Sequence, residues 1–301
     1  RKSKKIGLNT HVELFRRKKT YYKTERNQLI YFENQENNYS SNEFLFDFEL
    51  IYKNNLNTKH KINLNYHQIK VDNEISMLNP NYILSKDENS SKDYFYKISY
   101  QYILEKRNNN IYPNKGHYLD FEIGKNFSPN INHIEFNSHV EKHFSLNKSL
   151  FFGSSLKTRI TNSSQQAYYS AQTLGFDDYV RGYEFYVIDG ENFYLSKTAI
   201  KYAIIKNKKY DLPYLNIKQF KKSHFSIYAT IFSDFGYAKN NTEFINNSLT
   251  NTMLWGRGFS LDYVTYYDKL LRIEFSINEL GEKGVFLHFS NPFGETNKKW
   301  K

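Results

Sequence analysis

Apolar and polar side chains alternate along most of the chain, in segments of about ten residues separated by stretches rich in Asn, Lys, Ser, Gly and Asp. The clearest segment places Tyr94, Tyr96, Ile98, Tyr100, Tyr102 and Leu104 on one face and Lys97, Ser99 and Gln101 on the other. Because successive side chains of a β-strand point to opposite faces, this period of two predicts strands. Similar segments predict about thirteen strands and no long helix, and the last five strands are expected near residues 192–205, 224–237, 254–267, 270–278 and 284–293.

Two all-β folds use such alternation. A soluble β-sandwich buries the apolar face in a core, whereas a membrane barrel turns the apolar face to lipid and the polar face to a wet lumen. The segments here run to roughly 10–14 residues, where strands of globular proteins average about 5–6. Tyr and Phe crowd the strand ends, as interfacial girdles do, and the polar faces carry full charges that a lumen tolerates. These features favour a transmembrane antiparallel β-barrel over the sandwich.

Composition agrees with a barrel and excludes several other classes. The chain has 301 residues, among them 27 Tyr and 25 Phe, yet its mean hydropathy is −0.74. It contains no run of about 18 apolar residues, as a transmembrane helix would need. The absence of cysteine excludes disulfides and thiolate metal sites. The net charge of +11 is scattered and accompanies no nucleic-acid-binding motif, so we expect no nucleic-acid partner.

One irregular stretch carries a motif. Residues 172–183 read Gln-Thr-Leu-Gly-Phe-Asp-Asp-Tyr-Val-Arg-Gly-Tyr. A Pro-x-x-Gly turn at 113–116 precedes it, and a Phe-x-Asp-x-Gly strand at 232–236, a Gly-x-Gly strand at 256–258 and a last strand from Gly284 follow it. The set and its order resemble the BamA/TamA superfamily, the bacterial surface antigen family of outer-membrane assembly and translocation barrels. The resemblance covers about residues 93–293.

The resemblance implies a barrel of sixteen strands in the bacterial outer membrane, with a long extracellular loop folded back into the lumen. Residues 1–90 supply only four or five strands where the family would have seven. The chain begins with Arg, and no POTRA domain is recognisable in it, so we expect residues 1–301 to be the barrel domain of a longer protein. Two features depart from the family pattern: Ala199 stands where Glu is usual, and residues 294–301 follow Phe293, where members usually end.

The expected site lies on the lumen loop and the strands that face it. The resemblance assigns Val180, Arg181, Gly182 and Tyr183 to the loop motif. Alternation along 225–236 puts Asp234 on the lumen face, and we expect it to pair with Arg181 because a guanidinium inside a barrel needs a charged partner. Gly182 should allow a sharp turn, Tyr183 should pack on the lumen wall, and Lys201, where the family often has Arg, is a second lumen partner. The resemblance places the C-terminal strand, one side of a lateral seam, at Gly284, Val285, Phe286, Leu287, His288, Phe289 and Phe293.

Enzyme and metal signatures are absent from the sequence. His139 and His143 have the spacing of helical metal ligands, but on a strand they only share a face. No nucleophile elbow, phosphate loop or dinucleotide fingerprint is present. We therefore expect no catalytic residue, no cofactor and no metal.

The resemblance implies that the barrel inserts β-barrel proteins into the outer membrane, or passes polypeptides across it, through a weakly paired seam between the first and last strands. The implied partners are the lipid bilayer, unfolded outer-membrane protein clients or a secreted polypeptide, and accessory assembly subunits. Three alternatives stay open: a two-partner-type secretion pore, the membrane anchor of a fused patatin-like lipase, and a diffusion porin, against which the lumen loop argues.

Overall fold

Alternating segments of the sequence fold as strands in a computed structural model, which describes residues 5–34, 39–84, 91–163, 166–211, 222–241, 247–265 and 269–294. Within these ranges the strands are β1 (Ile6–Arg17), β2 (Lys19–Glu25), β3 (Gln28–Glu33), β4 (Ser41–Lys53), β5 (Thr58–Val71), β6 (Lys92–Glu105), β7 (Gly116–Phe127), β8 (Asn132–Ser145), β9 (Leu150–Thr161), β10 (Gln172–Leu174), β11 (Ile188–Asp189), β12 (Asn192–Asp211), β13 (Lys222–Lys239), β14 (Met253–Thr265), β15 (Leu270–Asn278) and β16 (Lys283–His288). A six-residue helix, α1 (Asn73–Leu78), and a single 3-10 turn, Tyr168–Ser170, complete the set. No helix in the described part of the chain has the length and apolar character to cross a membrane.

Twelve of the strands form one antiparallel sheet in the order β1-β4-β5-β6-β7-β8-β9-β12-β13-β14-β15-β16. The hairpins β2–β3 and β10–β11 lie outside that sheet and bring the described strands to sixteen. Strands β1 and β16 form its edges, and no backbone pairing joins them among the described residues. The seam expected between these two strands therefore stays a prediction.

The strand connections divide the molecule into two ends. The loop end carries hairpin β2–β3, the segment with α1, loop 162–191 and the connection between β13 and β14. The opposite end, here called the turn end, carries the connections at 54–57, 106–115 and 146–149, and the chain leaves β16 there.

The two faces of the sheet differ as the alternation predicts. On β6, Ile98 is 50% exposed and Gln101 only 4% exposed, and Tyr96 and Tyr100 are exposed with Ile98. Acidic side chains such as Glu141 and Asp262 are fully buried on the inner face. An apolar outer face and a charged, enclosed inner face are the arrangement of a membrane barrel.

Hairpin β2–β3 covers the loop end and reaches across it. Asn27, at the hairpin tip, donates its backbone N–H to Asn247 Oδ1 over 3.0 Å, and the Val187 N–H donates to the Asn27 carbonyl over 2.8 Å. Asn247 belongs to the connection between β13 and β14. The N-terminal side of the sheet is therefore tied to its C-terminal side at the loop end, although the edge strands do not pair within the described part of the chain.

The last strand is shorter than the sequence predicts. We expected it to run from Gly284 to Phe293, but β16 ends at His288. Pro292 has no N–H to donate to a ladder, and Asn291 Oδ1 accepts the Phe293 N–H at 3.1 Å in a side-chain turn that redirects the chain. The expectation that Phe293 belongs to the terminal strand is wrong: Phe293 is buried in the lumen, while Phe289, also beyond the strand, is exposed.

Candidate functional site

Loop 162–191 enters the sheet interior and brings Arg181 to Asp234 of β13. Arg181 Nε lies 2.7 Å from Asp234 Oδ2, and Nη2 lies 2.6 Å from Oδ1, so the pair is bidentate. Both side chains are fully buried. The Arg181 Cζ also lies 3.7 Å from the ring centroid of Phe232, which adds a cation–π contact. Arg181 therefore holds the loop to β13 through both an ion pair and a cation–π contact.

Two glycines allow the backbone to approach this closely. Gly182 has φ +93°, a conformation that costs most other residues strain. At Gly256 on β14, a Cβ would lie 1.7 Å from the Arg181 carbonyl oxygen, so only glycine fits beneath the loop. The first glycine of the Gly-x-Gly signal in the sequence therefore lies directly beneath the Val-Arg-Gly-Tyr motif.

The apolar members of the motif pack on the lumen wall. Val180 and Tyr183 are buried in a cluster with Leu174, Ile188, Phe193, Leu195, Ala238, Leu249 and Leu254. The Tyr183 hydroxyl accepts the Glu279 N–H at 3.2 Å. The motif is therefore anchored on both sides of Arg181 by burial of apolar surface.

Lys201 lies away from the motif, nearer the turn end. Its ammonium donates to the Pro113 carbonyl over 2.5 Å and lies 4.2 Å from the ring centroid of Tyr112. Lys197 is the residue directly opposite Asp234 in the β12–β13 register. Ala199, between the two lysines, packs with Phe232 and Phe293. The structure does not bring Lys201 to Asp234 and places Lys197 in that position, which sequence reasoning did not single out.

A second charged cluster fills the turn end of the lumen. Arg107 Nη1 lies 2.9 Å from Glu141, and the Nε2 atoms of His139 and His143 lie 3.1 and 2.9 Å from the same carboxylate. The ring of Phe293 packs edge-on against His143 at 4.8 Å between centroids. The segment after β16 therefore closes over this cluster from the turn end.

A third cluster joins the loop to the last two strands. Glu184 Oε2 accepts the Gly182 N–H at 2.8 Å, while Glu184 Oε1 lies 3.9 Å from Nε2 of His288 on β16. Glu274 on β15 completes the group. Burial raises the pKa of Glu184 to about 7. These residues are distant in sequence, and although His288 lies in the expected C-terminal strand, no local signal could have grouped it with Glu184 and Glu274.

The remaining seam residues lie on the edge strand. Val285 and Leu287 are exposed on the outer face, and Gly284 pairs with Ser276 of β15. Phe286 points the other way and packs on Phe185 of the loop at 5.6 Å. The inner face of β16 therefore touches the loop, and its outer edge is free of ladder partners among the described residues.

Comparison with known proteins identifies the family. The Omp85 superfamily domain matches residues 3–277. Among solved structures, the crystal structure of BamA from Haemophilus ducreyi lacking POTRA domains 1-3 is similar, with a TM-score of 0.58 and 11% identity over 83% of this chain. The chain spans about half of that BamA chain (53%), and at this identity the likeness concerns the fold alone. No curated protein matches. Since the domain match extends over most of the sequence, this chain belongs to the Omp85 superfamily of outer-membrane β-barrels.

Proposed function

We propose that this barrel inserts client β-barrel proteins into the outer membrane by offering an edge of its own sheet to the client strands. Unfolded outer-membrane proteins and lipid are the partners, and accessory assembly subunits would act on the full-length protein. The single observation that supports the proposal is the pair of unmatched edges, β1 and β16, within the described residues.

The physical reason is the cost of unpaired backbone in lipid. Each N–H or C=O group without a partner in the hydrocarbon costs several kcal/mol, so a client strand cannot enter alone. An exposed strand edge supplies those partners by β-augmentation. Among the described residues β1 pairs only with β4, and residues on both of its faces are exposed, as expected for a strand with an open side.

The rest of the structure suits a seam that opens while the lumen stays filled. The loop is fixed to β13 through Arg181 and Asp234, not to β1, so separation of the edges leaves its main anchor intact. The contacts of hairpin β2–β3 limit that separation at the loop end. Opening would therefore be wider at the turn end, where the clients would arrive.

A disulfide across the seam tests the proposal in the full-length protein. The chain has no cysteine, so a pair introduced on the outer faces of β1 and β16, scanned at Thr10, Val12 and Leu14 against Val285, is the only thiol pair in this domain. We expect the oxidised protein to lose client insertion into liposomes and to recover it on reduction. A matched control joins Phe275 to Val285, which are register partners inside the β15–β16 hairpin.

The outcomes separate the candidate functions. Full insertion activity in the seam-locked protein would overturn the proposal. Secretion of a soluble partner that persists in the locked protein would favour the translocation pore in its place, because that route runs through the lumen.

A further inference from the structure

Four side-chain atoms without hydrogen-bond partners converge between the loop and the last two strands. Glu184 Oε1, both carboxylate oxygens of Glu274, and His288 Nε2 are buried and accept or donate no hydrogen bond among the described residues. The Glu274 side chain is fully buried, and those of Glu184 and His288 are 11% and 16% exposed. Apart from the ion pair that Arg272 makes with Glu274 Oε2, these buried polar atoms have no partner to offset their desolvation, and their convergence supports a ligand between them.

The geometry fits a metal ion better than a hydrogen bond. One ligand atom from each of the three residues lies within 4.8 Å of the other two. The 3.9 Å between Glu184 Oε1 and His288 Nε2 is too long for a hydrogen bond. It matches two ligands on one ion, because metal–ligand bonds of about 2.0–2.1 Å put neighbouring ligand atoms roughly 3–4 Å apart.

The surroundings of His288 also resemble a metal site. The Tyr179 hydroxyl lies 3.3 Å from His288 Nδ1, and the two rings stack at 5.8 Å. A partner on Nδ1 fixes the imidazole tautomer that leaves Nε2 free to bind a metal, which is the usual outer contact of a metal-ligating histidine. Glu184 is held in turn by the Gly182 N–H.

We propose that Glu184, Glu274 and His288 form a zinc-binding site that clips the lumen loop to β15 and β16. One imidazole and two carboxylates suit Zn²⁺, and the open coordination positions would take water. Arg272 Nε lies 3.2 Å from Glu274 Oε2 and neutralises part of its charge, so the affinity depends on the ligand geometry more than on the local field. The inference rests on this cluster alone and does not depend on the insertion proposal.

Zinc titration of the whole chain, folded in detergent and stripped with EDTA, tests the site. We expect the wild type to retain one Zn²⁺ per barrel after desalting, and Co²⁺ to bind in its place with a visible absorption band. His288→Gln should weaken Zn²⁺ binding by more than the roughly 10–100-fold that loss of an outer contact costs, and Tyr179→Phe by about 10-fold. His143→Gln, which removes one of the two buried histidine contacts on Glu141, is the matched control and should bind as the wild type does.

Equal zinc binding by the wild type and His288→Gln would overturn the proposal, as would loss of binding in His143→Gln alone. The Tyr179→Phe variant keeps the test sharp if His288→Gln folds poorly, because it removes one hydroxyl and keeps every ligand. Unchanged zinc affinity in a folded Tyr179→Phe protein would contradict the assigned geometry.

Discussion

Arg181 is fully buried and is paired with the carboxylate of Asp234. Two short hydrogen bonds to Asp234 and the ring of Phe232 surround its guanidinium. Removing one member of a buried ion pair leaves the other charge uncompensated, which costs more than the pair itself contributes. The energetic significance of Arg181 therefore lies in its coupling to Asp234.

We expect Arg181→Ala and Asp234→Asn each to lower the free energy of unfolding by about 3–5 kcal/mol, because each leaves a buried group unpaired. The double variant should be no worse than either single one. Denaturant unfolding in detergent, analysed as a double-mutant cycle, measures this coupling. Arg257→Ala removes an exposed arginine on β14 that stacks on Trp255, and serves as the control, with an expected loss below about 1 kcal/mol. Strictly additive losses from the two variants would show that the residues do not interact.

At the scale of elements, the segment after β16 blocks the lumen at the turn end. Asn291 donates its side-chain amide to the Asn110 carbonyl over 3.1 Å, and Phe293 packs on His143 and near Gly153. Phe293 also lies 5.2 Å from the Lys201 ammonium. This short segment therefore joins the last strand to connection 106–115 and to β8, β9 and β12 across the lumen.

Phe293→Ala should open the turn end of the lumen and destabilise the barrel by about 3–5 kcal/mol, as buried Phe truncations do. Ion conductance in planar bilayers should rise, because the ring that covers the Glu141 cluster is gone. Phe289→Ala, four residues earlier and 69% exposed, is the control and should change neither conductance nor stability by much. Wild-type conductance in a folded Phe293→Ala protein would show that Phe293 does not block the lumen.

At the scale of the whole molecule, the main sheet has two chemically different faces. Its outer face presents Tyr96, Ile98 and Tyr100, while Ser99 and Gln101 of the same strand are buried inside. A shift of one residue would exchange these sets entirely, because side chains alternate with a period of two. The membrane therefore fixes the register of every strand it contacts.

Lipid-phase quenching of single-cysteine labels tests this orientation, and the absence of native cysteine makes the labelling clean. A fluorophore at Ile98→Cys should be quenched strongly by a lipid-soluble quencher in bilayers. The same label at Gln101→Cys, three residues away on the opposite face, should be quenched several-fold less. Stronger quenching at position 101 than at position 98 would place the polar face in lipid and invert the fold.

The sequence by itself predicted about thirteen strands, where the described residues form sixteen, and it correctly assigned the faces of the long strands and the position of the loop motif. Period-two alternation can be read from neighbouring residues alone. Lipid on one side of the sheet requires apolar side chains on every outward position, so the pattern alone was enough to assign Asp234 to the lumen face. The pairing of Arg181 followed from that face together with the family motif, and the two residues are in contact. Gly256 also belongs to the Gly-x-Gly motif that is visible in the sequence.

Only the tertiary structure decided what meets inside the lumen. Curvature of the sheet joins residues far apart in sequence: Lys201 meets Pro113 and not Asp234, and Glu184 meets His288. Phe293 ends in the lumen because strand pairing stops at His288 and the Asn291 side-chain turn then redirects the chain, although the spacing of Phe293 fits a longer strand. Alternation tells which side of the wall a residue faces, but contacts across the lumen depend on how the wall curves and on where the loops enter it.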